Sequence, residues 1–119
     1  MNRIVYLMLV LGMLGLISAC GGASASPETG QNLAVMKGCI ACHAVDETYK
    51  IGPTWVGLYG SQVEFDDGSF VAADETYLIE SIKDPNAKIV NGFSKGSMPA
   101  VSLSDEEINA LVTYIKSVK

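Results

Sequence analysis

The sequence predicts a small all-α domain of about three to five short helices with a minor β-hairpin insertion. Three observations predict it. Ser104 and Glu107 form a capping box in front of an apolar stripe at Ile108, Leu111, Val112 and Ile115. Two shorter stretches, 30–37 and 74–83, carry helical periodicity. Only one segment, VEFDDGSFV, alternates around a turn dipeptide, Asp67-Gly68.

The elements follow in chain order. Residues 4–17, IVYLMLVLGMLGLI, are almost wholly apolar and follow Arg3, but the run is shorter than the roughly 18 residues of a membrane span. It reads as a secretory signal, and Ile17-Ser18-Ala19-Cys20 resembles the lipobox of bacterial lipoproteins. Residues 1–19 are therefore expected to be a lipoprotein signal peptide, with Cys20 lipidated. A free or paired Cys20, or an uncleaved anchor, is the alternative. Residues 20–29, rich in Gly, Ala and Ser, form a lipid-anchored flexible tether. The folded domain is residues 30–119.

In the first helix, 30–37, Leu33 and Met36 share a face, and Gly38 stops it. Core packing is the expected role of Met36. The hairpin over 63–71 is predicted with a two-residue turn, which sets Phe65 opposite Phe70. Asp74 caps the second long helix and Pro85 lies past its end. In the last helix Leu103 and Ile108 fit a hydrophobic staple, with Tyr114 at the edge of the stripe. These pieces are too sparse to enclose a dry core unaided.

Cys39, Cys42 and His43 stand in the order C-x-x-C-H. A structural zinc site wants four ligands, yet the chain has 3 cysteines and 1 histidine, and lipidation consumes Cys20. A thioredoxin-like dithiol wants a βαβ setting that is absent from the pattern. A plain disulfide is chemically open. The remaining reading is covalent haem c: two thiols bond the macrocycle while the adjacent imidazole binds iron. Positions i and i+3 on one helical turn bring both sulfurs to the same side. One histidine means one haem, and a haem plate also supplies the missing core.

With no second histidine, the sixth iron ligand is expected to be Met98, in GFSKGSMPAVS, a loop that Pro99 stiffens. A buried or exposed methionine is the alternative. An iron filled at both axial positions carries electrons rather than binding substrates. Without the signal, 7 Lys against 13 Asp plus Glu leave a balance of −6, which speaks against nucleic acid as a partner.

Residues 30–119 resemble a class I c-type cytochrome. GPTWVGLYG, DGSFVAADETYLIESIKDPNAKIVNGF, Met98-Pro99 and LSDEEINALVTYIKS look more narrowly like the cytochrome c domain fused to subunit II of some bacterial haem–copper oxidases. The resemblance implies a small cytochrome c fold around one covalent haem. It implies that the Pro53 carbonyl fixes the His43 ring, that Trp55 packs at the haem edge, and that Tyr59 is a candidate propionate contact. An ordinary loop proline and a simple core tryptophan are the alternatives. Ala34 stands where many relatives have an aromatic residue, so the contact between first and last helices is expected to be smaller, with Tyr114, Val35 or Met36 covering the gap. Ser61, followed by Gln62, stands where many have an arginine, which should lower the reduction potential.

The function expected is a membrane-tethered carrier of single electrons, not an enzyme, running from a quinol-oxidising complex to a terminal oxidase. It would lie outside the cytoplasm on a bacterial membrane. The alternatives are a fixed haem subunit of a larger respiratory complex and an open-site haem sensor or peroxidase.

Overall fold

The computed structural model describes residues 25–119. The expected signal segment and Cys20 lie outside them. Four helices and one small sheet are present among the described residues: α1 (Pro27–Met36), α2 (Cys39–Cys42), β1 (Gln62–Glu64), β2 (Phe70–Ala72), α3 (Glu75–Lys83) and α4 (Asp105–Ser117). None of these helices is long and apolar enough to cross a membrane.

Helix α1 begins at Pro27, three residues before the predicted start at Gly30. The Ser26 hydroxyl accepts from Thr29 N–H, and Pro27 occupies the first turn, where a missing N–H costs nothing. Its packing face is also different from the one expected. Gly30 and Ala34 are buried, whereas Met36 is 80 % exposed, so Met36 is not a core residue. Gly38, at φ 77°, then turns the chain directly into α2.

Helix α4 crosses α1 at Gly30, and this is the most extensive contact between elements. A Cβ at Gly30 would lie 2.0 Å from the Ala110 carbonyl oxygen and 2.6 Å from Tyr114 Cβ. With Ala34 in place of an aromatic residue, the α1 and α4 backbones themselves come close at Gly30. Small residues on α1 let the backbones approach, and the Tyr114 side chain is buried beside them. Val35 and Met36 take no part, being 55 % and 80 % exposed.

The capping box is present in full: Glu107 N–H donates to Ser104 Oγ at 3.2 Å, and Ser104 N–H to Glu107 Oε2 at 2.8 Å. Glu107 also pairs with Lys37 at 3.2 Å, which ties the end of α1 to the start of α4. Asp74 caps α3 by accepting from Tyr77 N–H at 2.8 Å. Ile108 is buried and Leu103 packs against the same cluster, as the staple requires.

The hairpin forms, one residue out of the predicted register. Glu64 pairs with Phe70 and Val63 with Val71, so Phe65 faces Ser69 across a three-residue loop. Gly68, at φ 81°, supplies the left-handed residue of that loop, and Asp67 accepts from Ser69 N–H at 2.8 Å. A one-residue slip exchanges faces. Phe70 is consequently 63 % exposed, and Phe65 is buried against Tyr77 and bridges to Val90.

Gly30→Ala should cost about 2–3 kcal/mol through overpacking, lowering the thermal midpoint by roughly 10 °C or more; calorimetry checks this. Hydrogen bonding to Ser104, then Lys37, holds the Glu107 carboxyl below its ordinary value of 4.5. Such a group adds stability that is complete above the unfolded value and is lost as pH falls through the folded one. Glu107→Gln should therefore flatten the acid limb of a plot of thermal midpoint against pH.

Candidate functional site

The single turn α2 carries Cys39 and Cys42 on one side, both as free, half-buried thiols. His43 follows as its C-cap, with N–H donating to the Cys39 carbonyl. A turn this short leaves carbonyls without helical partners, and the returning loop 50–55 answers them. Lys50 Nζ donates to the Ile40 carbonyl, Gly52 N–H to Cys42 at 2.9 Å, and Trp55 N–H to Ala44 at 2.9 Å.

The same return places the Pro53 carbonyl 2.7 Å from His43 Nδ1. A carbonyl only accepts, so Nδ1 carries the proton and Nε2 keeps its lone pair. Burial pushes the His43 imidazole below its ordinary value, outweighing the opposing pull of the Pro53 bond. Burial thus favours the neutral ring, the form in which an imidazole binds a metal. Burial also raises the Cys39 thiol, with Lys37 acting weakly the other way. Trp55 stacks on the imidazole, centroids 5.0 Å apart at 15°, and meets Tyr114 edge-on at 6.1 Å. That relay connects the His43 ring to α4.

Cys39, Cys42 and His43 line a cavity of about 210 Å³. Pro53, Trp55 and, from the distant loop before α4, Met98 line the same cavity. Its walls are largely apolar, built from Leu78 and Ile82 of α3, Leu111 and Ile115 of α4, and Val90 and Phe93. Among the described residues, the only charged ones in the lining are Lys37 and Lys88, and each has a carboxylate partner, Glu107 and Glu80. Among the described residues no group of three or more His, Cys, Asp or Glu gathers elsewhere as a metal site.

Of the haem-site residues expected from the sequence, all among the described residues, one does not line the cavity. Tyr59 is 42 % exposed, and its ring lies under Lys116 Nζ at 4.9 Å. A cation held over the ring face at the surface accounts for its position. The walls from α3 and residues 89–93, and the Lys50 contact, were not foreseen. Nothing local marks such long-range partners.

The donor set fits a planar, largely apolar iron macrocycle. Two thiols one turn apart, an imidazole with Nε2 free, and a thioether share one apolar cavity, with no excess charge to stabilise a hydrated ion. Gly52 explains how the loop comes so close: a Cβ there would lie 2.9 Å from the Cys42 carbonyl oxygen and 3.2 Å from His43 Cε1. Gly52→Ala should therefore displace the imidazole from Pro53 and cost about 1–3 kcal/mol. A lower unfolding midpoint together with shifted His43 ring resonances checks this; a shift in neither contradicts it.

Residues 27–119 match the family described as cytochrome c. The chain is similar to cytochrome c2 of Rhodospirillum rubrum, 26 % identical over 121 aligned residues that cover 85 % of this chain and 88 % of that one. Its fold is similar to that of cytochrome cH from Methylobacterium extorquens, with a TM-score of 0.59 and 22 % identity over 77 % of this chain and 98 % of that one. Fold, cavity and family agree on the cofactor, one covalently bound haem c with His/Met axial ligation. The chain belongs to the cytochrome c family, as a monohaem electron carrier rather than an enzyme.

Proposed function

We propose that this chain is a membrane-tethered carrier that passes single electrons from a quinol-oxidising complex to a terminal oxidase. One observation carries the site assignment: a single apolar cavity is lined by Cys39, Cys42, His43 and Met98 together. In this reading Cys39 and Cys42 would hold the group through thioethers, and His43 Nε2 and Met98 Sδ would be the two protein ligands to its iron. The bound group supplies one-electron iron chemistry, and methionine as sixth ligand raises its potential. The protein's part is to hold both ligands in place, so that little rearranges when the charge changes.

The tether rests on Cys20 in its lipobox-like setting. Attachment confines the domain near integral partners and raises its effective concentration there. The oxidase as acceptor rests on the resemblance to the domain fused to subunit II. Pro53 serves the imidazole, and Trp55 covers one face of it.

A second reading, a fixed haem subunit of a respiratory complex, is favoured by one specific feature. Both charged residues of the cavity lining are already neutralised by carboxylates, and Ile51, also lining it, is 71 % exposed. An apolar mouth suits a lasting contact, and it lacks the free lysines that would steer an acidic partner.

Fractionation of cells making the wild-type protein and Cys20→Ser tests the tether. Wild-type haem protein should sediment with membranes and leave them only in detergent, while Cys20→Ser should move to the soluble fraction and lower quinol-driven oxygen uptake. Cys20→Ser that stays on the membrane would overturn the lipid anchor. Wild-type protein that leaves detergent extracts only as part of an oxidase assembly would favour the fixed subunit.

A further inference from the structure

The segment that bears Met98 has little hydrogen bonding to the rest of the protein. From Ser94 to Leu103 the chain forms neither helix nor strand. Its internal bonds are local: Ser97 N–H and Oγ both donate to the Ser94 carbonyl, at 3.2 and 2.7 Å. Among the described residues, one hydrogen bond ties this segment to the rest of the protein. Gly96 N–H donates to Oδ1 of Asn86 at 2.6 Å. Gly96 stands at φ 81°, where a side chain would be strained, and it lies two residues before Met98.

Asn86 sits just past the C-terminus of α3, after Pro85, and lines the same cavity as Met98. It therefore joins the α3 wall to the loop that carries the methionine. An amide suits this place. Its carbonyl oxygen is a good acceptor for the Gly96 N–H.

We infer that Asn86 is a positioning residue that keeps Met98 on the iron, an inference that rests on Met98 being the sixth ligand. The two thioethers and His43 are held by α2 and the 50–55 loop, so they do not depend on this contact. Losing the Asn86 bond weakens the methionine side alone. An outside base that competes with methionine for the ferric iron then binds more tightly, because it displaces a less firmly held ligand.

The test is titration of the ferric, haem-loaded full chain with imidazole, followed by absorption, for wild type, Asn86→Ala, Asn86→Asp and Met98→Ala. Thermal unfolding of each is measured alongside. One hydrogen bond of ordinary strength predicts roughly a fivefold tighter apparent affinity for imidazole in Asn86→Ala. Asn86→Asp keeps an acceptor for Gly96 N–H and should stay near wild type. Met98→Ala should bind imidazole far more tightly than any of them.

Wild-type imidazole affinity in Asn86→Ala, whether or not its unfolding midpoint falls, would overturn the inference, since a merely structural role moves only the midpoint. Equal tightening in Asn86→Asp and Asn86→Ala would overturn it too, because the acceptor would then be irrelevant. Unchanged affinity in Met98→Ala would instead remove the methionine ligand itself, and the inference would fall with it. The three failures are distinguishable.

Discussion

The 2.7 Å hydrogen bond from His43 Nδ1 to the Pro53 carbonyl is the contact on which the site depends. It selects the tautomer, aims the free nitrogen, and requires the 50–55 loop to fold back onto a helix only four residues long. That return is itself secured by bonds to the carbonyls of Ile40, Cys42 and Ala44. Two of the carbonyls that α2 leaves unpaired, those of Ile40 and Cys42, thus hold the loop that orients its histidine. Gly52 sits where this back-folding is tightest, which is why any side chain there meets His43.

The rest of the fold braces this unit from behind. Helices α1 and α4 meet at Gly30 with almost no separation, and Tyr114 of α4 touches the edge of Trp55, which stacks on His43. The chain passes from α1 into α2 through Lys37 and Gly38 alone, so the crossing fixes where α2 begins. Helix α3 and the hairpin close the other side, with Phe65 packed on Tyr77 and Val90 bridged to the strand end. The two halves of the ligand set are thus held very differently. His43 is embedded in packed rings, whereas the Met98 segment is tied by one hydrogen bond outside itself and by Leu103 packed at its end.

Much of this was legible in the residues, for identifiable reasons. C-x-x-C-H carries its chemistry in its spacing, and the Ser104–Glu107 box and the Asp74 cap are local bonds that sequence states outright. The failures share a cause as well. The Phe65–Phe70 pairing assumed a two-residue turn, but Asp67 binds Ser69 and Gly68 takes a left-handed angle, which adds a residue to the loop. Ser26-Pro27-Glu28 was a readable helix start that the neighbouring Gly- and Ser-rich tether concealed. Met36 was assigned to the core from its helical spacing with Leu33, yet its exposure is decided by which face of α1 meets α4. No pattern in one sequence reveals that Gly96 will meet Asn86.

The measurement closest to the central claim is acid–acetone extraction followed by an alkaline pyridine spectrum, for the wild type, Cys39→Ser and Cys42→Ser. With both thioethers formed, haem should stay with the wild-type chain and give the band position of a macrocycle with two saturated side groups. Each single variant should keep its haem with the band moved to that of one remaining vinyl group. Haem that leaves the wild-type chain in acidified acetone would contradict the account, because neither cysteine would then hold it.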